Sequence, residues 1–200
     1  MKRLVVASGN PGKLAEIGAL LAPLSIEAVP QSGLGIAEAE EPHGTFLENA
    51  LAKARHASRA SGLPALADDS GLCVDALGGE PGVHSAYYAG REGTREERDA
   101  RNNAKLLRAL GEERTAHYVC VLVLLRHASD PRPVVAEGLW HGEIARAPRG
   151  ANGFGYDPLF SVPALGRTAA ELAPAEKNRV SHRGQALAKL LAFFKHANLS

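Results

Sequence analysis

Leu4-Val5-Val6-Ala7 is a short apolar run with a β-branched centre that breaks off into Ser8-Gly9-Asn10-Pro11-Gly12-Lys13. Such a run reads as a buried strand, and the glycines and proline behind it as a turn. Leu14, Ile17, Leu20 and Leu21 then recur at helical spacing until Pro23, which cannot continue a helix. A strand that passes through a tight loop into a helix points to interspersed strands and helices, an α/β architecture.

The rest of the chain keeps to this pattern. Ile26 to Val29 predicts a second strand, followed by a loop over residues 31–35. Thr45-Phe46-Leu47-Glu48 fits a capping box, and the helix behind it places Phe46, Leu47, Ala50, Leu51 and Ala54 on one face before ending near Gly62. Leu63 to Ala67 leads to Asp68-Asp69-Ser70-Gly71, and Leu72 to Asp75 reads as a further strand. Gly78 to Gly90 reads as an ordered loop, and Thr94 to Leu110 as a charged helix with Leu106, Leu107 and Leu110 inward. His117 to Arg126 is the clearest strand; Asp130-Pro131-Arg132-Pro133 turns the chain, and Val134 to Leu139 returns as its hairpin partner. Gln185 to Phe194 is an amphipathic helix with Leu187, Leu190, Leu191 and Phe194 inward. With no repeat and no linker-like segment, one domain is expected over residues 1–200.

Composition excludes several classes. An apolar share of 45% with 22% charged residues is that of a globular chain and excludes disorder. The 23 basic and 22 acidic residues leave a net charge of +1, so the broad positive field that holds a nucleic-acid polymer is missing. A small phosphorylated ligand needs only a few well-placed cations. Cys73 and Cys120 stand in apolar contexts and are expected to be buried thiols of a reducing compartment. The run behind Lys2-Arg3 is too short for the ~7–15 apolar residues of an export signal, and Tyr118 to Leu125 is well short of the ~20 needed to span a bilayer. The expectation is a soluble, cytoplasmic protein without a membrane partner.

Five segments have chemistry to offer. Ser8 to Lys13 joins a strand to a helix N-terminus, where backbone N–H groups and a positive dipole end favour an anion and Lys13 adds a full charge. It lacks Walker A spacing, and a plain strand-to-helix turn shares the same sequence. Asp68-Asp69 follows an apolar strand; the two carboxylates diverge if the strand continues and converge if it turns. Together they suit Mg²⁺, a hard cation that prefers oxygen ligands, although Asp-Asp-Ser-Gly also suits a turn. Glu40-Glu41 reads either as solvated surface or as a further carboxylate for the same metal. Gly153-Phe154-Gly155-Tyr156-Asp157-Pro158 sets an aromatic ring between glycines, open to a stacked base or simply a tight turn. Lys177, Ser181, His182 and Arg183 bring donors together ahead of the last helix, with Ser181 as a possible N-cap. Taken together, these segments make the inventory of a nucleoside triphosphate site.

The blocks Ser-Gly-Asn-Pro-Gly-Lys (8–13), Thr-Phe-Leu-Glu-Asn-Ala (45–50), Ala-Asp-Asp-Ser-Gly-Leu (67–72), Gly-Phe-Gly-Tyr-Asp-Pro (153–158) and Ser-His-Arg-Gly (181–184) occur in order. In these the chain resembles the inosine triphosphate pyrophosphatase family, the bacterial XTP/dITP diphosphatases, over nearly its whole length. The resemblance implies an elongated mixed β-sheet flanked by helices, with two lobes around a central nucleotide cleft. It also implies a homodimer and Mg²⁺-dependent hydrolysis of ITP, dITP and XTP to monophosphate and pyrophosphate. Carried onto this chain, it gives the triphosphate to the loop of Ser8, Gly9, Asn10, Pro11, Gly12 and Lys13, with Lys53 facing the phosphates. Asp69 becomes general base and metal contact, with Glu41 and Asp68 helping to hold Mg²⁺. Ser70, Phe154, Gly155, Tyr156 and Asp157 would contact nucleotide, and Lys177, His182 and Arg183 would read the base. The chain departs from the family pattern in having Ser8 where Thr is frequent, and Pro42-His43 ahead of Gly44.

Donors at the base would favour a 6-keto purine over adenine, whose 6-amino group would face other donors; each opposed buried group costs roughly 1–3 kcal/mol. This does not exclude guanine. Two other readings share the segments: a pyrophosphatase for other modified or pyrimidine nucleotides, and a non-catalytic nucleotide sensor.

Overall fold

The opening run forms strand β1 (Arg3–Ala7), buried from Leu4 onward. The computed structural model describes residues 2–24 and 26–196; the side chain of Leu20, expected to face inward, lies outside the described residues. Helix α1 (Pro11–Leu21) starts at a proline, whose missing N–H would have had no helical partner, and Asn10 caps it by accepting the Lys13 N–H at 3.1 Å. Ile17 and Leu21 are its buried stripe. The crossover returns the chain as β2 (Glu27–Pro30), parallel to β1 with Val5 opposite Val29.

Helix α2 (Phe46–Ser61) begins at Thr45, whose hydroxyl accepts the Glu48 N–H and donates to the Glu48 carboxylate at 2.7 Å. The glutamate therefore meets the capping hydroxyl rather than the Thr45 N–H of a full capping box. The inner face also differs from expectation. Ala50, Ala54 and Ala57 are its apolar stripe, small enough for close packing, whereas Leu47, on the same side in the first turn, is 45% exposed. Asn49, Lys53 and Ser58 are buried with the alanines. Gly62 ends the helix in the left-handed region (φ +69°), which costs glycine no strain.

The two runs predicted around Asp68 and Asp69 are one continuous strand, β3 (Ala65–Val74), parallel to β1 with Ala7 opposite Ala67. Asp-Asp-Ser-Gly is thus no turn, because burial and ladder pairing override its local turn preference. Helix α3 (Arg95–Ala109) has the full reciprocal capping box of Thr94 and Glu97. Strands β4 (Thr115–Leu125) and β5 (Val134–Ile144) follow, β5 running longer than predicted. Short strands β6 (Phe160–Val162) and β7 (Arg167–Thr168) complete a mixed seven-stranded sheet in the order β2-β1-β3-β4-β5-β6-β7. The segment ahead of the last helix is itself helical, α4 (Pro174–Val180), and Ser181 is its C-cap. Helix α5 (His182–His196) starts earlier than expected and has His182 and Arg183 in its first turn.

The chain folds into two compact units. The first comprises residues 1–69, 120–138 and 183–200, and its core includes Leu4, Ile17, Leu66, Leu122, Leu187 and Phe194. The second comprises residues 70–119 and 139–182, with Leu72, Leu106, Tyr118, Trp140, Phe160 and Leu172 at its centre. Cys120 is buried, but Cys73, one residue before β3 ends, is only half-buried, against expectation; neither forms a disulfide. Among the described residues no helix is long and apolar enough to cross a membrane.

Candidate active site

Because β3 continues through Asp68 and Asp69, their side chains leave the strand on opposite faces. Asp68 is enclosed in ion pairs. Lys13 Nζ lies 2.6 Å from Oδ1, Arg183 Nε donates to Oδ2 at 2.7 Å, and the Cys120 thiol approaches the same oxygen at 3.3 Å. Arg183 also pairs with Glu16, and its side chain is almost fully buried. Burial alone would raise the Asp68 carboxyl, but Arg183 and Lys13 outweigh it and hold it well below the ordinary carboxylate range.

Asp69 has a different environment. Lys53 Nζ, projecting from α2, lies 2.7 Å from its Oδ1 and 2.7 Å from Glu41 Oε1. Asp69 Oδ2 is buried and has no hydrogen-bond partner. Burial raises the Asp69 carboxyl above its usual value; Lys53 and Lys13 offset only part of this, and the Glu41 charge adds to it. Burial works against the Lys53 charge, yet two carboxylates on one ammonium win and its pKa is raised. Ser8 follows Ala7, the residue registered against Ala67 of β3, which sets the N-terminal loop beside the aspartates. Its hydroxyl accepts the Asn10 N–H at 3.2 Å.

In the second unit, the turn over residues 153–157 is organised by Asp157. This buried carboxylate accepts the Phe154 N–H at 2.9 Å, the Lys177 ammonium at 2.6 Å and the Tyr118 hydroxyl at 3.3 Å. Lys177 Nζ also lies 4.8 Å from the Phe154 ring centroid. Tyr156 turns inward, and its hydroxyl donates to Ser85 O at 2.9 Å. His182 stacks on Tyr118 with centroids 4.6 Å apart and planes 9° from parallel. Ser70, the first residue of this unit, is half-buried in β3.

The structure thus gathers Ser8, Lys13, Glu41, Lys53, Asp68, Asp69 and Arg183 in the first unit, and Phe154, Gly155, Asp157, Lys177 and His182 in the second. Three of the expected site residues are already paired within the protein. Tyr156 and Asp157 are 3% and 2% exposed, and their polar atoms hold the turn. Both oxygens of Asp68 are in ion pairs, one with Lys13 and one with Arg183. Glu41 and Asp69 do fit a hard cation, since they offer neighbouring carboxylates and a buried oxygen without a partner. Among the described residues no group of three or more His, Cys, Asp or Glu could hold a metal, and Mg²⁺ characteristically takes one or two carboxylates with water and phosphate oxygens. The sequence reading missed Glu16, Tyr118 and the polar face of α3. Glu16, three residues beyond Lys13 and so on the same side of α1, was the most accessible of these.

The chain is 66% identical to the dITP/XTP pyrophosphatase of Ralstonia nicotianae, covering 96% of each, and 65% identical to that of Burkholderia pseudomallei, covering 95% of this chain and 92% of the relative. The solved structure of a HAM1 protein from Coxiella burnetii superposes with a TM-score of 0.90 at 50% identity, covering 98% of this chain and 100% of that one. A nucleoside-triphosphatase / dITP/XTP pyrophosphatase from Mycobacterium abscessus gives a TM-score of 0.72 at 47% identity, covering 94% and 98%. Residues 4–193 match the Ham1 family, and the chain belongs to it.

Proposed function

We propose that the chain hydrolyses non-standard purine nucleoside triphosphates, ITP, dITP and XTP among them, to the monophosphate and pyrophosphate. The observation that carries this reading is Asp69, a buried carboxylate with one oxygen on Lys53 and the other without a partner. An unsatisfied buried oxygen costs stability, and a perturbed carboxyl beside two lysines is the mark of a site that handles a charged ligand. The relatives named dITP/XTP pyrophosphatase support the substrate class.

In this reading Lys13 and Lys53 offset the charge of the triphosphate and of the departing pyrophosphate, with the N-terminal loop beside them. The raised pKa of Lys53 keeps it charged for this role. Asp69 orients the attacking water and accepts its proton. A divalent cation such as Mg²⁺, held by Glu41 and Asp69, would supply Lewis-acid polarisation and a more acidic water. Phe154 supplies a stacking face for the base, and Lys177, His182 and Arg183 supply donors for a 6-keto group. Arg183 would do so with its guanidinium anchored by Asp68 and Glu16. The family resemblance supports a homodimer, and two cysteines that form no disulfide suit the cytoplasm.

The test is a panel of ITP, XTP, dITP, GTP, ATP and dUTP with Mg²⁺ and all products resolved. Monophosphate plus pyrophosphate, formed fastest from the 6-keto non-standard purines, is expected. Diphosphate plus phosphate, a pyrimidine preference, or binding without turnover would each overturn the proposal.

A further inference from the structure

The polar face of α3 has no part in the reaction described above, yet it reaches the turn that carries Phe154. Arg95, Asp99 and Asn103 are spaced four residues apart, so they line one side of the helix. Asp99 Oδ2 accepts the Gly155 N–H at 2.9 Å, and Asn103 Nδ2 donates to Gly155 O at 2.9 Å. Both backbone groups of one residue are therefore held by one helix. A carbonyl can only accept, which fixes the orientation of the Asn103 amide. The third residue, Arg95, places its guanidinium carbon 4.7 Å from the Phe154 ring centroid and its Nε 3.8 Å from Asp99.

The turn needs such a clamp. Gly153 and Gly155 both have positive φ, +76° and +63°, and glycine is the residue least able to hold one conformation by itself. A stacking ring flanked by two glycines loses entropy whenever a ligand immobilises it, and that loss weakens binding. We infer that Arg95, Asp99 and Asn103 are positioning residues that preset the Phe154 ring for the base and thereby set affinity for the nucleoside part of the substrate, not for its phosphates. The inference rests on the proposed nucleotide pyrophosphatase activity.

The experiment compares steady-state ITP hydrolysis with inhibition by inorganic tripolyphosphate, which carries the phosphates without a base. Turnover of ITP by the unaltered protein is the first result; without it the proposed activity itself fails. With activity present, Asp99→Ala is expected to raise the KM for ITP about tenfold, the scale of one lost hydrogen bond to a charged group, with kcat within about twofold. The tripolyphosphate inhibition constant should stay unchanged. Asp99→Asn, whose amide oxygen can still accept the Gly155 N–H, should restore the KM. An unchanged KM in Asp99→Ala, or equal weakening of ITP and tripolyphosphate, would overturn the inference. Should Asp99→Ala fail to fold, Arg95→Ala carries the same test, because both backbone hydrogen bonds survive in it. A KM about threefold higher with constant tripolyphosphate inhibition supports the inference, and no change in KM refutes it.

Discussion

Asp68 and Asp69 are adjacent in sequence and opposite in physical character. Asp68 is locked between Arg183 and Lys13 with its pKa depressed, so its folded value lies below the unfolded one near 3.9. Its stabilising contribution is complete above that unfolded value and is lost as pH falls through the folded one. Urea titrations should therefore show a midpoint that declines below about pH 4 in the native protein and less steeply in Asp68→Asn. Removing the partner should be more damaging: Arg183→Ala leaves a buried carboxylate short of its cation and should cost about 3–5 kcal/mol by urea unfolding. A loss under about 1 kcal/mol would mean that the pair is not buried as described. Asp69 has the opposite sign. Its pKa is raised, so keeping it ionised costs the folded state at every pH above its folded value. Asp69→Asn should leave the urea midpoint at neutral pH unchanged or higher, while turnover in a pyrophosphate-release assay falls roughly 10²–10⁴-fold. Near-normal turnover would remove Asp69 from the mechanism.

At the scale of elements, the turn over residues 153–157 depends on backbone freedom that only glycine offers. Gly153 has φ +76°, and a Cβ there would overlap the Asp157 carboxylate, which is itself held by Lys177 and Tyr118 and cannot give way. Gly153→Ala should cost about 1–3 kcal/mol and displace Phe154, raising the KM for ITP; thermal melting and kinetics measure the two effects separately. The glycines and the aromatic ring of this turn were legible in the sequence. The clamp on α3 was not, because Arg95, Asp99 and Asn103 sit in a helix whose charged composition reads as a solvated face. Their partner Gly155 is 52 residues away from Asn103, and no local pattern encodes a contact at that separation. Similarly, the turn-like letters Asp-Asp-Ser-Gly concealed a strand, since ladder pairing with β1 and burial outweigh local preference.

The whole molecule has two cores but no simple seam in its chain. The backbone passes from one unit to the other inside β3, β4, β5 and α5. Three strands that run unbroken through the division should make unfolding cooperative. Fluorescence of the single tryptophan, Trp140 in the second core, should lose its folded signal at the same urea concentration as far-UV dichroism. Leu122→Ala, a cavity in the first core, should shift both probes together, with a loss of about 2–5 kcal/mol. Separate transitions would show that the units unfold independently.

By itself the sequence determined the α/β class, most of the helices and strands, and which segments carry chemistry. These follow from periodicity, caps and breakers that act over a few residues. Tertiary structure alone decided that Asp68 is held by Arg183 while Asp69 keeps an oxygen without a partner, and that a charged helix holds the turn of Phe154. Such distinctions depend on charges and hydrogen-bonding groups brought together from distant parts of the chain, where burial strengthens each pairing and penalises each omission.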